Sequence, residues 1–599
     1  MHTSLWKKAL ALGAVAPMLL AACSSGGKAA SASNGGIFTT VNEAHPITAG
    51  APMNPFNASG NTFDSYDQLE LGYSAFSPTN PNASFPALAA SWSLGANGSL
   101  TVHLQPKARW SNGAPVTARD VKDSVAIAFT QGTQPSNLAS VTILGQKEIR
   151  FNTIPGTTNQ LFTAEVLATT VVPASVYGKE LPSNIWSTIT ASTYTGSNPA
   201  RAAAARKAQA SLTALGKKIA AFAPAKDVSA GPFVLVRLNP GEALLTANPY
   251  FWARSKIAPK EVVMRNYTGN QQIWNYLIAG QLDAAPYTAM PTNVLDEILR
   301  TAGNKELKSP AYVAASLAFD EKDYPYGLTA VRQAIAYVLN RKQITKVGES
   351  VSGQPVRYQT GIIDSIAPKW LSHQELASLN PYSLDPAKAA ALLKSAHFTK
   401  RGGQWYLPSG KPWTMSIESV SGFSDWIAAG KFMASELSSF GIPTTESIAP
   451  DYATYLANLA KGDYPVAFWL TALGPSVADA YDRIWGPNDG FVAVGNTVQH
   501  HTAGNWMNTP TSYDLPSIGR VQPGTLTGEL TALTGSAAKA AVAKLAAADN
   551  AELPVIGLWD YVNVQFVNDK HFTDWPVGKP GLLNDPAGVW MMQGYVHAK

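Results

Sequence analysis

Cysteine is almost missing from this chain: Cys23 is the single one among 599 residues. No disulfide can close within it, so stability must come from packed cores. Charge is also sparse, with Asp, Glu, Lys and Arg making up 14 % of residues. The formal net charge is +5, two of the positives being Lys7 and Lys8, and no basic run follows. That balance gives no case for a nucleic-acid partner. After residue 22 no apolar run is long enough to span a bilayer. Three motifs are missing too, GxxxxGK[ST], HExxH and GxSxG, so the chain carries no signature of its own for nucleotide, zinc-protease or serine-hydrolase chemistry. His500 and His501 are adjacent and no spaced Cys or His cluster supports them, so neither a metal nor another cofactor is expected.

What is present begins with the N-terminus. Lys7-Lys8 precede an apolar stretch, 9–22, interrupted by Pro17. It falls short of the ~20 residues of a membrane span and reads as a signal peptide covering 1–22. It ends in Leu20-Ala21-Ala22-Cys23, which resembles the lipobox of bacterial lipoproteins. The resemblance implies cleavage before Cys23 and acyl chains on that residue, anchoring the protein to the outer face of the cytoplasmic membrane. Residues 23–36 would then be a lipidated flexible tether, whose Gly/Ser-rich composition gives a reach of roughly 20 Å.

The length predicts two or three domains, and 46 % hydrophobic residues predict globular ones. Aromatics at 10 % are a stock for cores and for lining a cleft. The best-built stretch is 88–121. It reads as a hairpin around Gly95–Gly98, a second turn carrying Trp110, and a helix capped by Thr117 with Asp120 three residues on. Further on, helices are expected over 62–75, 199–222 (an exposed insertion), 271–278, 331–344, 425–440, 452–459 and 537–552. Asp385 caps another, with Pro386 at its first position. Strands are expected at 37–41, 140–152, 166–172, 262–265, 280–284, 314–319, 413–420, 441–445, 464–473 and 553–566, with a loop over 486–528. No internal repeat is visible.

Several of these units resemble, in order, one family: the extracytoplasmic solute-binding proteins of peptide/nickel-type ABC importers. The resemblance is carried by Leu88-Ala-Ala-Ser-Trp92 with Gln105-Pro-Lys-Ala-Arg-Trp110-Ser-Asn-Gly113 and Thr117-Ala-Arg-Asp-Val121. It continues in Ala230-Gly-Pro-Phe233, Asn248-Pro-Tyr-Phe-Trp252, Val331-Arg-Gln-Ala-Ile335 with Asn340-Arg-Lys-Gln-Ile344, Asp385-Pro-Ala-Lys-Ala389, 402–411, 461–464 and 553–556. It implies an α/β, two-lobed periplasmic-binding-protein-like fold of class II type with an additional third domain. Lobe one would comprise 37–75, 227–313 and 555–599, the accessory domain 76–226, and lobe two 314–554, with a hinge near 311–319 and 553–562. It also implies a monomer without catalysis, which closes on a peptide or other small solute and delivers it to an ABC permease and its ATPase subunits.

In peptide-binding members an extended ligand pairs its backbone with both cleft walls. By resemblance that role falls to Ser59, Gly60 and Asn61 on lobe one and to Trp469, Leu470 and Thr471 on lobe two. Ser59–Asn61 read equally as a polar turn; Tyr452, Trp469 and Trp559 are candidate cleft aromatics, with core the favoured reading for Trp469 because Phe468 lies beside it on the opposite face. One departure stands out. Oligopeptide and dipeptide members carry an Asp after this strand for the peptide's amine, whereas 469–478 holds no acid before Asp479. The ligand is therefore a peptide held otherwise, an oligosaccharide, or another solute. The rival functions are a surface binder or sensor without transport and a secreted hydrolase.

Overall fold

The computed structural model describes residues 36–599 except 43–45, 49, 58–59, 76, 78–79, 81, 158, 195, 287, 473–475 and 487–505. The signal-peptide segment, Cys23, nearly all of the tether, Ser59, His500 and His501 lie outside the described residues.

The chain is α/β, as expected, with three principal sheets. In the first, Ile37–Val41 runs parallel to Glu261–Arg265, which continues antiparallel to Glu242–Ala247 and Phe233–Asn239. The second is an antiparallel sheet in the order Ala89–Leu94, Leu100–Leu104, Glu148–Thr153 and Leu138–Gly145. The third has seven strands in the order Ala284–Pro286, Val555–Asn568, Asn304–Phe319, Val466–Thr471, Met415–Val420 and Thr444–Ala449, with Gly353–Pro355 added on Val555–Asn568. One buried cluster unites the first two sheets around Phe38, Trp110, Phe233 and Trp590. A larger one fills the third around Phe319, Trp426, Trp469 and Trp559.

Local chemistry explains the expected elements. Thr117 N and Oγ1 both donate to Asp120 Oδ2, at 2.6 and 2.9 Å, and start helix Ala118–Gln131. The other oxygen of Asp120 takes the amide of Ala174 at 2.8 Å, so one carboxylate caps a helix and fixes a neighbouring segment. Gly113, at φ 84, turns the chain so that Trp110 folds inward and is buried. Asp385 caps Pro386–Ser395 through the amide of Lys388.

Five expectations need correction. Residues 62–75 are not a helix but a 3₁₀ turn, Asp64–Tyr66, followed by strands Leu69–Glu70 and Gly72–Ser74. Burial of Leu69, Leu71 and Tyr73 follows period two. The 166–172 strand shrinks to Thr170–Val171 after helix Phe162–Leu167. The 331–344 helix is two, Thr329–Val338 and Arg341–Gly348, because Leu339 turns extended and Asn340 caps the second through Gln343 N at 3.2 Å. Helix Pro199–Ala220 is less exposed than its composition suggests. Ala205, Ala208, Leu212, Gly216 and Ile219 form a buried stripe, and a Cβ at Gly216 would meet Thr130 O at 2.2 Å. Within 486–528, the described part holds hairpin Tyr513–Leu515/Gly519–Val521 and helix Pro523–Leu530 rather than loop alone.

The third sheet's helices are tied by Arg332, which is fully buried. Its guanidinium meets Glu321 Oε2 at 3.0 Å and donates to Tyr326 O at 2.7 Å, Glu552 O at 2.9 Å and Leu553 O at 3.1 Å. Tyr513 Oη donates to the same Glu321 at 3.2 Å. Removing one partner of a buried, multiply bonded pair leaves the other charge stranded, at about 3–5 kcal/mol. Arg332→Met should therefore lower the unfolding free energy of the purified chain, read from denaturant titration, by an amount in that range, and an unchanged value would show that the network carries no net stability.

Candidate functional site

The segments expected on opposite lobes meet along a rim. A Cβ at Gly269 would lie 3.4 Å from Gly422 Cα, so the two backbones pass in direct contact. Asn270 Nδ2 donates to Ser424 Oγ at 3.1 Å, and Ser424 Oγ donates to Ala289 O at 2.9 Å. Thr292 and Ser350 join their hydroxyls at 3.1 Å, and Gln160 N donates to Thr531 O at 2.6 Å. Each of these contacts joins segments far apart in sequence.

The sequence-derived site residues fall into two groups. Gly60 and Asn61 are buried in the 48–61 loop. Asn61 Oδ1 accepts from Thr48 N at 3.0 Å, and its Nδ2 donates to Thr48 O at 2.8 Å and Ala51 O at 3.2 Å, so the side chain braces the loop. A Cβ at Gly60 would lie 2.3 Å from Asn54 O, which explains the glycine. Trp469 is buried beneath the Arg483 guanidinium, 4.0 Å away, and edge-on to Trp506. Trp559 is fully buried on the opposite face, near Phe468. Both tryptophans are core. Both faces of the Val466–Thr471 strand are covered, so alternation cannot direct one of them to solvent.

Tyr452, Leu470 and Thr471 remain near accessible space. Tyr452 is half-buried and stacks on Phe423 at 5.5 Å, next to the Gly269–Gly422 contact. Leu470 is half-buried, its carbonyl taking Arg483 Nε at 2.9 Å. Thr471 shares a 2.7 Å hydroxyl contact with Ser316 and lines a small cavity with Ala472, Ala314, Asp549 and Asp560. Asp479 is committed locally: its Oδ2 accepts from Ser476 N at 3.0 Å and Ser476 Oγ at 2.8 Å, capping helix Val477–Trp485. Asp549 and Asp560 were not singled out from sequence. The signal for Asp549 was there, since it falls at helical spacing on the buried stripe of Gly535–Glu552, after Ala538, Val542 and Leu545.

Carboxyls also gather on the 64–70 and 227 segments. Burial pushes the Asp64 and Asp227 carboxyls up to about 6, and Asp67 is held well above the usual range by burial and by Asp227's charge. Glu70 is raised by burial and by the charges of Asp64 and Asp585. Asp64 and Glu70 keep some exposed surface, so their desolvation is only partial.

Residues 85–491 match the model of the bacterial extracellular solute-binding proteins, family 5 Middle. The chain belongs to that family. No curated protein is matched by the sequence. Among solved structures, a mannohexaose-bound periplasmic oligopeptide-binding protein from Thermotoga maritima is 18 % identical, with TM-score 0.71, over 94 % of this chain and 99 % of that one. The oligopeptide-binding protein AppA from Bacillus subtilis, in complex with a nonapeptide, is 12 % identical with TM-score 0.68 over 94 % and 99 %. NikZ from Campylobacter jejuni, in complex with Ni(L-His), is 15 % identical with TM-score 0.66 over 91 % and 96 %. These likenesses establish the two-lobed architecture with its extra domain.

The raised carboxyls give the fold a pH dependence of defined sign. A folded-state pKa above the ordinary ~3.9 of Asp means that the folded chain holds more protons than the unfolded one across the interval. The stabilisation from Asp64 and Asp227 is complete below about 4 and is lost as pH rises through about 6. Thermal unfolding should therefore occur at higher temperature at pH 5 than at pH 7.5, with the gain reduced in Asp67→Asn/Asp227→Asn. A higher Tm at pH 7.5, or an unreduced gain in the variant, would contradict this assignment.

Proposed function

We propose that this protein is the lipid-anchored solute-binding component of an ABC importer, which encloses a peptide or similar solute between two lobes and hands it to a membrane permease. Membership of the solute-binding family is the observation that carries this reading, and the rim contacts at Asn270–Ser424 and Thr292–Ser350 are consistent with a closing cleft. In this reading lobe one comprises 37–75, 227–313 and 555–599, the accessory domain 76–226 and lobe two 314–554. The protein acts as a monomer and binds without turnover. Energy comes from the ATPase partner, because the chain carries no phosphate-binding loop motif of its own. Tyr452 and Leu470, which are half-buried, and Thr471, which is buried but lines a small cavity, are the ligand contacts best supported, while Gly60 and Asn61 shape their loop and Trp469 and Trp559 support the wall from behind.

An oligosaccharide ligand is a second reading, favoured by the mannohexaose in the Thermotoga maritima relative. Deleting the gene and measuring uptake of radiolabelled peptide and oligosaccharide pools tests transport: loss of one pool is expected, and unchanged uptake of every solute would leave the non-transporting binder or sensor.

Anchoring is assigned to Cys23 within Leu20-Ala21-Ala22-Cys23. Cys23→Ser should move the protein from the membrane fraction to the soluble fraction and remove the mass of the acyl chains. Retention on the membrane at unchanged mass would refute lipidation.

A further inference from the structure

Helix Pro199–Ala220 takes no part in the site described above, and its charge is lopsided. It carries Arg201, Arg206, Lys207, Lys217 and Lys218 and not one acid, in a chain whose whole net charge is +5. Lys179 and Lys226 lie on the flanking segments, and between residues 171 and 226 the only acid is Glu180. The apolar stripe of the helix is turned inward: Leu212 packs with Ala126, Ile185 and Ile189, and Ile219 with Ile127, Val172 and Tyr177. At about 3.6 residues per turn, positions 206, 207, 217 and 218 lie across the helix from that stripe. Helix geometry thus gathers on one face charges that the sequence shows only as two separate pairs.

All four basic residues are exposed, and so are Ala203, Ala210 and Ala214 between them, whose short side chains leave the cations unshielded. The two pairs stand roughly 16 Å apart along the axis. Arg201 stacks on Tyr194 at 4.2 Å and Lys218 pairs with Glu180 at 3.1 Å. Among the described residues Arg206, Lys207 and Lys217 form no ion pair. The helix itself is fixed. Asn54, fully buried, donates from Nδ2 to Ile219 O at 2.7 Å and Phe222 O at 2.9 Å, and Asn57 Nδ2 donates to Ala220 O at 2.8 Å. Protein partners are recognised through aromatic and other bulky anchors seated in pockets, and this helix has no aromatic residue. An anionic bilayer asks only for cations held outward, each contributing about fivefold in affinity. Insertion is excluded, because the apolar stripe is already buried within the protein.

We propose that the outer face of Pro199–Ala220 rests on anionic lipid headgroups, with Arg206, Lys207, Lys217 and Lys218 as the contacts. The inference rests on the anchored reading above, since acyl chains on Cys23 place the protein at a membrane. Four cations bind too weakly to retain an unanchored chain, so Cys23→Ser still leaves the membrane fraction. On the anchored chain the tether makes the contact intramolecular, at an effective concentration of about millimolar. The face therefore orients the molecule over the bilayer rather than holding it there.

The test uses the chain from residue 23 onward with Cys23→Ser, so that no acyl chain contributes, and reads sedimentation with vesicles. In about 20 mM salt it should sediment with vesicles of equal parts phosphatidylglycerol and phosphatidylcholine and not with phosphatidylcholine alone, and about 500 mM salt should release it. Arg206→Gln/Lys207→Gln/Lys217→Gln should lower the apparent affinity on the order of a hundredfold. The same charge removed elsewhere, in Lys342→Gln/Lys346→Gln/Lys369→Gln, should lower it less than about threefold. All six positions are exposed, so Tm should be unchanged in both variants. Equal binding to the two vesicle types would overturn the proposal without recourse to any variant, as would equal losses in the two triple variants. Binding of soluble polyphosphate without binding of vesicles would assign the face to a free polyanion and overturn the membrane contact. A chain that sediments with anionic vesicles but is not acylated in cells keeps the face and removes the anchor. One that is acylated but ignores anionic vesicles removes the face and leaves the anchor.

Discussion

The two antiparallel strands Asn304–Phe319 and Val555–Asn568 are the constraint on which the rest depends. Their register runs from Asn304 opposite Asn568 to Ala318 opposite Val555. At one end Leu307 and Val567 belong to the core of the first two sheets, and at the other Leu317, Phe319, Ile556 and Trp559 belong to the core of the third. One ladder is thus anchored in two separate hydrophobic clusters. Between them its pairing is irregular: Pro310 faces Val562 and Ala314 faces Asp560, so four steps on one strand oppose two on the other. Pro310 also has no amide to donate. A ladder weakened at the crossing and firmly packed at both ends concentrates bending at that step.

That geometry explains why contacts at the far rim need only be modest. Asn270–Ser424 and Thr292–Ser350 are single neutral hydrogen bonds, each worth about 0.5–1.5 kcal/mol net. Contacts of that size hold the two segments together without locking them. The cavity with Asp549 and Asp560 lies beside the irregular step, with Ala314 and Asp560 common to both.

Much of this was legible in the sequence because it depends on local chemistry. The Thr117–Asp120 box, the Asp385 cap and the turn that folds Trp110 inward are each fixed by a few neighbouring residues, and the structure has all three. The division of Thr329–Val338 from Arg341–Gly348 was not legible, because neither Gly nor Pro marks it and the apolar period continues across Leu339 and Asn340. The tryptophans escaped for a different reason. Trp469 and Trp559 sit on strands packed on both faces, where an aromatic carries no sign of whether a neighbour or a ligand covers it. Asp549 falls at helical spacing on the inner stripe, yet its helix is so rich in alanine that the period alone assigns the acid no role.

Asp479 and Asp549 show why family membership leaves the ligand open. Asp479 lies close in sequence to the strand end at Thr471, yet its carboxylate already takes two donors from Ser476 and stabilises a helix start by about 1 kcal/mol. Recruiting it for a ligand's amine would exchange one satisfied arrangement for another, with little net gain. Asp549 comes from a distant part of the chain, and its cavity-facing carboxylate makes no comparable bonds. Burial raises the Asp549 carboxyl well above the usual range, which favours its neutral form over a stranded charge. Proximity in sequence therefore points to an acid already committed to a helix start, and burial favours the neutral form of the other, so neither position by itself identifies a ligand contact.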